Sequence, residues 1–148
     1  MEADSGNEDY SAIIRTYCSF PVVGEVIGAL RRQSVPPREV IVVDSGSPED
    51  ERSCLRELAD RFIEYPAEPF NFSKAANIGI DRATTPCCLI ISSHFLIEDE
   101  LLMEHCIRAA AGHGTPVFYV SNVRRKQSRR LKLVSAGNFT GSNGFSNA

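Results

Sequence analysis

The fold class is decided by residues 40–48, which read VIVVDSGSP. Residues 40–43 are a continuous β-branched run, and a strand without a polar face belongs in a sheet that is covered on both sides. A polar turn follows, and Pro48 suits the first position of a helix for which Ser47 would be the N-cap and Asp50 the partner in a capping box. The stretch therefore predicts a buried strand, a polar turn at its carboxyl end and a following helix.

Strands and helices alternate on both sides of this stretch. Upstream, residues 11–17 predict a strand, and residues 22–33 predict an amphipathic helix with its apolar side chains on one face of a 3.6-residue period. Downstream, the pattern predicts strands at 62–65, 87–91 and 117–120, a helix at 73–83 capped by Asn71 or Ser73, and a helix that opens at Glu98-Asp99-Glu100. This alternation predicts an α/β fold with a doubly wound, mostly parallel sheet.

The length of 148 residues suits one ordinary domain. We expect a polar tail at 1–10, a ligand-binding α/β domain at 11–121, and a basic loop or hairpin with the start of a further region at 122–148. The sequence ends on FSNA without a helix to close the fold. We therefore expect the fold to be truncated at its C-terminus.

The formal net charge of -3 hides an asymmetry along the chain. Residues 1–114 carry 10 basic and 19 acidic side chains, whereas residues 115–148 carry 6 basic and no acidic ones. The basic side chains of the second part all lie within residues 124–132, which predicts a solvated loop or hairpin face, with an anion site as the alternative. The acidic remainder shows no interleaving of basic and aromatic residues, so a nucleic-acid-binding protein is not expected.

The cysteines and the apolar runs indicate in which cellular compartment the protein is located. The five cysteines are an odd number without the spacing of a zinc site or a Cys-x-x-Cys motif, which predicts buried free thiols in a reducing environment. The longest apolar runs are far shorter than the roughly 20 residues of a membrane span, so no transmembrane segment is expected. Residues 1–9 are acidic, unlike a secretory signal. These features predict a cytoplasmic protein.

Polar and aromatic residues follow the predicted parallel strands, at the edge where ligands bind in doubly wound sheets. They read Arg15-Thr16-Tyr17, Asp44-Ser45-Gly46-Ser47, Tyr65-Pro66 and Ser92-Ser93-His94. This set suits a nucleoside, because Tyr17 can stack on a base and Asp44 can accept a hydrogen bond from a ring N–H or a ribose hydroxyl. Neither a P-loop nor a Gly-x-Gly-x-x-Gly motif is present, so a P-loop kinase and a standard dehydrogenase are not indicated.

Four segments together resemble the family 2 glycosyltransferases, which have the GT-A fold of nucleotide-diphospho-sugar transferases. They are residues 11–17, 30–34, 40–47 and 70–79. The last, FNFSKAANIG, is similar to a variant found among rhamnosyltransferase-like members. The resemblance covers roughly residues 11–111, the donor-binding N-terminal part of such enzymes, and the final FSNA is similar to a segment after their acceptor-side loop.

The resemblance implies which residues contact the donor nucleotide. They are Thr16, Tyr17, Asp44, Ser45, Lys74 and Asn77. Two positions depart from the family pattern: Ser45 stands where a second acidic residue is usual, and Ala76 stands where an arginine is usual. The resemblance therefore implies donor binding with an altered base contact and one cationic contact fewer.

A larger departure lies at Ser92-Ser93-His94, where the family has an Asp-x-Asp motif that holds a divalent metal on the donor diphosphate. Hydroxyls and an imidazole are poorer ligands than carboxylates for Mg²⁺. The sequence therefore predicts weak Mn²⁺ or Mg²⁺ binding with His94 as the ligand, or direct contact of His94 with the diphosphate. The family's catalytic base is a later carboxylate, and no Asp or Glu follows Glu104, so we expect no catalytic base in this chain.

Two functions follow from these expectations. The first is an inverting glycosyltransferase, or its donor-binding half, that transfers a sugar from a nucleotide-sugar donor to an acceptor hydroxyl on a glycan or a lipid-linked molecule. The second function, favoured by the degenerate Asp-x-Asp position, is that of a non-catalytic remnant of the same fold that binds a sugar nucleotide or a glycan. A response-regulator receiver is not indicated, because the required acidic cluster and phosphorylatable aspartate do not follow the first and third strands.

Overall fold

The computed structural model describes residues 9–66 and 69–111 of the chain. Strands and helices alternate in the order β1 Tyr10–Thr16, α1 Val22–Arg31, β2 Glu39–Asp44, α2 Glu49–Leu58, β3 Arg61–Glu64, α3 Phe72–Arg82, β4 Cys87–Ser92 and α4 Leu102–Ala111. The chain divides into two compact units, Met1–Glu104 and His105–Ala148, and the boundary falls within α4. The sheet and the candidate site lie in the first unit.

The described strands form one parallel sheet in the order β3-β2-β1-β4. Helix α1 packs against α2, whereas α3 packs on β1 and β2. Because right-handed crossovers that run in opposite directions along a sheet place their helices on opposite faces, α3 covers the face opposite α1 and α2. The predicted doubly wound α/β fold is confirmed, and its switch in strand order lies between β1 and β4.

The core is built around β1 and β2. Every residue of β2 is buried, as is every residue of β1 except Arg15, which is what the run at 40–43 predicts. Helix α3 turns a face of small residues toward the sheet, with Ala75, Ala76 and Gly79 buried. A Cβ atom at Gly79 would collide with the side chain of Ile13, so α3 lies against β1 more closely than a larger residue would permit.

Two predicted helix starts are wrong, and tertiary hydrogen bonds explain both. Helix α2 begins at Glu49 without a side-chain cap, because the Ser47 hydroxyl is engaged elsewhere, as described below. Helix α4 begins at Leu102 rather than at Glu98. The buried Gln33 amide donates to the Asp99 carbonyl and accepts from the Met103 N–H, which holds residues 98–101 as a loop. Of the two predicted caps of α3, Asn71 is the one that forms, since its side chain accepts from the Lys74 N–H.

Other predictions have different outcomes. The cysteines are free thiols, as expected, but none is buried: Cys18 and Cys88 are exposed and the other three are half-buried. Within the described ranges, the helices include none of the length and apolarity needed to span a membrane. The predicted strand at 117–120 and the basic segment at 122–148 lie outside the described residues.

Candidate functional site

The candidate site is the carboxyl edge of the sheet at the switch between β1 and β4. Thr16 pairs with Asp44 across β1 and β2, and Arg15 pairs with Ser92 across β1 and β4. The sheet register therefore brings the predicted residues at the ends of these three strands to one edge. Ligands of doubly wound folds bind at this position.

The Asp44 carboxylate holds the turn after β2. One carboxylate oxygen accepts from the backbone N–H groups of Gly46 (3.0 Å) and Ser47 (2.9 Å), and the other accepts from the Ser47 hydroxyl (2.5 Å). Asp44 is only 1% exposed, whereas Ser45 is half-buried and Gly46 is exposed. The surface that this turn presents to a ligand is therefore Ser45 and Gly46, with Asp44 beneath them.

Ser47 links this turn to the segment after β1. Its hydroxyl accepts from the backbone N–H of Cys18 (2.8 Å) while it donates to Asp44. Cys18 has a φ of 46°, a left-handed conformation that is uncommon outside glycine. The Thr16 carbonyl also accepts from the Ser45 N–H (3.0 Å). These bonds fix the two turns against each other.

Thr16 and Tyr17 have opposite environments. The Thr16 hydroxyl is buried and has no hydrogen-bond partner among the described residues. The Tyr17 side chain is 62% exposed. Of this predicted pair, Tyr17 is the residue whose ring is free to contact a nucleoside.

The segment after β4 joins the segment after β1 through a serine that the sequence analysis missed. The Ser93 hydroxyl is buried and donates to the Ser19 hydroxyl (3.2 Å). The His94 ring nitrogen Nε2 lies 3.4 Å from the same Ser19 oxygen, and the His94 side chain is exposed. The position of Ser19, just beyond the end of β1, is the one sequence signal that points to it.

Lys74 and Asn77 lie on α3, apart from this cluster. Both are exposed, Lys74 in the first turn and Asn77 one turn further. Within the described part of the chain, neither side chain forms a hydrogen bond or an ion pair. Because α3 runs back along the sheet, its N-terminus lies at the carboxyl edge, and Lys74 is the nearer of the two to that edge.

An aromatic cluster at the N-terminus of α3 is a second feature that the sequence analysis missed. Phe70 packs edge-on against Phe72 at 4.7 Å between ring centroids and lies 6.2 Å from Tyr65. The Arg15 guanidinium stacks 5.0 Å from the centre of the Phe72 ring. Burial lowers the pKa of Arg15, and its Nε has no hydrogen-bond partner in the part of the chain that the structure describes. The cluster adds a positive charge and exposed aromatic surface beside the switch point.

Comparison with known proteins identifies the family. Residues 11–143 match the model for glycosyl transferase family 2. The chain belongs to this family. No curated protein sequence matches it significantly.

Solved structures of other proteins share the fold. The TarS protein of S. aureus, residues 1–349, superposes with a TM-score of 0.60 at 21% identity over 71% of this chain and 33% of its own. The mannosyltransferase PcManGT from Pyrobaculum calidifontis, in complex with GDP-Man and Mn²⁺, superposes with a TM-score of 0.61 at 23% identity over 69% of this chain and 32% of its own. TarS has also been solved with UDP and with UDP-GlcNAc. The chain thus spans about a third of the length of these two proteins.

The family resemblance implies a divalent metal at the end of β4, and the residues there do not fit one. Within residues 9–66 and 69–111, no group of three or more His, Cys, Asp and Glu side chains could hold a metal ion. The edge offers the Ser92 hydroxyl and the His94 imidazole in place of the two carboxylates that a hard cation prefers. We therefore route no step of the proposed mechanism through a metal.

Proposed function

We propose that the chain binds the nucleotide-sugar donor of an inverting glycosyltransferase, which transfers the sugar to an acceptor hydroxyl. Family membership gives the class of reaction, and the exposed Tyr17 ring beside the Asp44–Ser47 turn is the observation that supports donor binding. Stacking on a nucleobase would remove both aromatic surfaces from water and is typically worth about 1–3 kcal/mol.

The turn after β2 would recognise polar atoms of the nucleoside. Ser45 and Gly46 are the residues of this turn that solvent reaches, so their hydroxyl and backbone groups would contact a ring N–H or a ribose hydroxyl. Asp44 would act through the turn, because its carboxylate oxygens already accept three hydrogen bonds within it.

The diphosphate would lie at the N-terminus of α3, at the same edge of the sheet as His94. The first turn of a helix attracts anions through its free N–H groups and its dipole. Lys74 adds a positive charge in that turn, and Asn77 would extend the contact by one turn. This arrangement would neutralise part of the diphosphate charge with residues of the chain itself.

In the proposed transfer, the acceptor oxygen forms a bond to the anomeric carbon from the side opposite the diphosphate. The bond from that carbon to the diphosphate breaks, and its electron pair stays on the diphosphate. The proton of the acceptor hydroxyl passes to a general base, which we assign to no described residue. A glycan or lipid-linked acceptor suits this chemistry, and the FNFSKAANIG segment at 70–79 favours a rhamnosyltransferase-like member of the family.

One observation favours a second function. Ser92, Ser93 and His94 replace the carboxylates of the Asp-x-Asp motif, as would be expected of a domain that binds a sugar nucleotide or a glycan without catalysing transfer. Measurement of nucleoside diphosphate release from a bound sugar nucleotide separates the two functions: release stimulated by an acceptor supports the transferase, and binding without release supports the non-catalytic domain.

Donor binding is tested by calorimetry with UDP and GDP on the wild type, Tyr17→Ala and Leu101→Ala. Leu101 is a matched control, because it is 48% exposed and follows Glu100, whose carbonyl accepts from Ser34 after the end of α1, away from the site. We expect Tyr17→Ala to weaken binding by about 1–3 kcal/mol and Leu101→Ala to leave it unchanged. Equal affinity in wild type and Tyr17→Ala, or no binding of either nucleotide by the wild type, would contradict the proposal.

A further inference from the structure

The Ser19 hydroxyl has three neighbours that together account for all of its hydrogen-bonding capacity. It donates to the Tyr17 carbonyl (2.8 Å), which can only accept. It accepts from the Ser93 hydroxyl (3.2 Å), and its third neighbour is Nε2 of His94 (3.4 Å). A hydroxyl has one hydrogen to donate and two lone pairs to accept with.

This count fixes the direction of the contact with His94. Because the single hydrogen of Ser19 is used on the Tyr17 carbonyl, its remaining lone pair faces Nε2. A lone pair on Nε2 would repel the lone pair of Ser19, whereas an Nε2–H group donates to it and gives the Ser19 hydroxyl its third hydrogen bond. A neutral imidazole carries one hydrogen, so Nδ1 of His94 then has a lone pair and no hydrogen.

We infer that Ser19 is a positioning residue that holds His94 as the Nε2–H tautomer, with Nδ1 as the ring nitrogen that meets a ligand at the carboxyl edge. Among the described residues, Nδ1 has no hydrogen-bond partner, and the side chain is exposed. Ser19 and Ser93 are both buried, so the contacts that orient the ring are protected from water while the opposite side of the ring faces solvent.

The tautomer determines what His94 recognises. A neutral Nδ1 accepts a hydrogen bond, so it pairs with a hydroxyl of the ligand rather than with a phosphate oxygen, which is itself an acceptor. This consequence rests on the proposed function, because it assumes that a nucleotide sugar occupies the edge. The assignment of the tautomer rests on the three distances at Ser19 alone.

The tautomer is tested by long-range ¹H–¹⁵N correlation spectra of ¹⁵N-histidine-labelled protein at about pH 8.5, where free imidazole is neutral. His94→Ala identifies the His94 signals among those of the three histidines. We expect the wild type to show the Nε2–H pattern, Ser19→Ala to move the two ring ¹⁵N shifts toward each other, and Ser19→Thr, which keeps a hydroxyl, to restore the pattern. A dominant Nδ1–H form in the wild type, or an unchanged spectrum in Ser19→Ala, would overturn the inference.

Two further variants serve as a control and as an alternative to Ser19→Ala in the spectroscopic experiment. Ser92→Ala is the matched control, because the Ser92 hydroxyl contacts only the His94 backbone (3.4 Å) and its loss should leave the ring shifts unchanged. If Ser19→Ala does not fold, Ser93→Ala removes one of the donors to Ser19, and we expect a smaller displacement of the same shifts. Unchanged shifts in a folded Ser93→Ala protein would then count against the inference.

A binding cycle with UDP tests whether Ser19 acts through His94. We expect Ser19→Ala to lower UDP affinity about 2- to 10-fold, the size of one neutral hydrogen bond, and the double variant with His94→Ala to bind no more weakly than His94→Ala alone. Additive losses would show that Ser19 does not act through His94. If the wild type binds neither UDP nor GDP, the proposed function fails, and the spectra alone decide the tautomer.

Discussion

The two edges of the sheet satisfy their polar groups in different ways. At the amino edge, the buried Glu39 carboxylate accepts from the Ser11 hydroxyl (2.8 Å) and from the backbone N–H (2.6 Å) and hydroxyl (2.8 Å) of Thr84. Its other oxygen lies 3.0 Å from Nε of Arg61. The Ser11 hydroxyl also contacts Thr85 (2.7 Å), which donates onward to the Cys87 carbonyl. This network ties together β1, β2, β3 and the segment before β4.

At the carboxyl edge of the same strands, polar groups are left without protein partners. Within residues 9–66 and 69–111, Nε of Arg15 and the hydroxyl of Thr16 have none, and the rings of Tyr17, Phe72 and His94 are exposed. Buried polar groups are normally paired, so unpaired ones need a reason. The comparison teaches that the amino edge pairs its buried carboxylate fully within the protein, whereas the carboxyl edge leaves buried polar atoms unpaired and presents exposed rings to a ligand.

The largest expected effect comes from breaking the amino-edge network with Glu39→Gln. An amide cannot accept all of these hydrogen bonds or pair with Arg61, and we expect a loss of about 3 kcal/mol in the free energy of unfolding, the scale of a buried charged hydrogen-bonded group. Urea denaturation measures it. Glu57→Gln, at an exposed position on α2, is the control and should stay within about 0.5 kcal/mol of the wild type.

The same variant has a pH signature. Burial raises the pKa of the Glu39 carboxyl, but the hydrogen bonds from Thr84 and Ser11 and the charge of Arg61 outweigh it and lower the pKa below its ordinary value of 4.5. The unfolded state therefore takes up the proton first as pH falls, and the stabilisation, complete above the ordinary pKa, is lost as pH falls through the folded value. Wild-type and Glu39→Gln stabilities should converge below pH 4.5; curves that remain parallel would exclude this role for Glu39.

We expect a smaller loss in the free energy of unfolding from Asp44→Ala. This variant tests whether a carboxylate at the carboxyl edge stabilises the fold. Asp44 accepts three hydrogen bonds, two of them from the buried Ser47. Unlike Glu39 it pairs with no cation among the described residues, so we expect a loss of about 1–2 kcal/mol, less than for Glu39→Gln. Ser45→Ala should leave stability unchanged and weaken UDP binding in calorimetry. If Asp44→Ala instead keeps wild-type stability and only weakens binding, Asp44 contacts the ligand directly.

Local patterns predicted the fold because the signals that decide it are local. The β-branched run at 40–43 and the Asn71 cap are each set by neighbouring residues, and both predictions are correct. The chemistry of the site depends on contacts between distant residues, which a linear pattern does not contain. Ser47 has the sequence features of an N-cap, but its hydroxyl bonds to Cys18, and Ser19 gains its role only from its contact with His94.

The smallest expected effect comes from Gly79→Ala, midway between the two edges, where α3 lies against Ile13. A methyl group there would force α3 away from β1 at a cost of about 1–3 kcal/mol, offset in part by the better helix propensity of alanine, worth up to about 1 kcal/mol. The net result should be a loss of about 1 kcal/mol in the free energy of unfolding, measured by urea denaturation.

Gly28→Ala on α1 is the matched control, because its Cβ would meet only the flexible end of Arg32 at 3.1 Å. This variant should stabilise the protein by about 0.5–1 kcal/mol. Since α3 runs from the carboxyl edge to the Thr84 contact at the amino edge, Gly79→Ala should also weaken UDP binding. A loss of stability with unchanged UDP affinity would show that the two edges respond independently to a shift of α3.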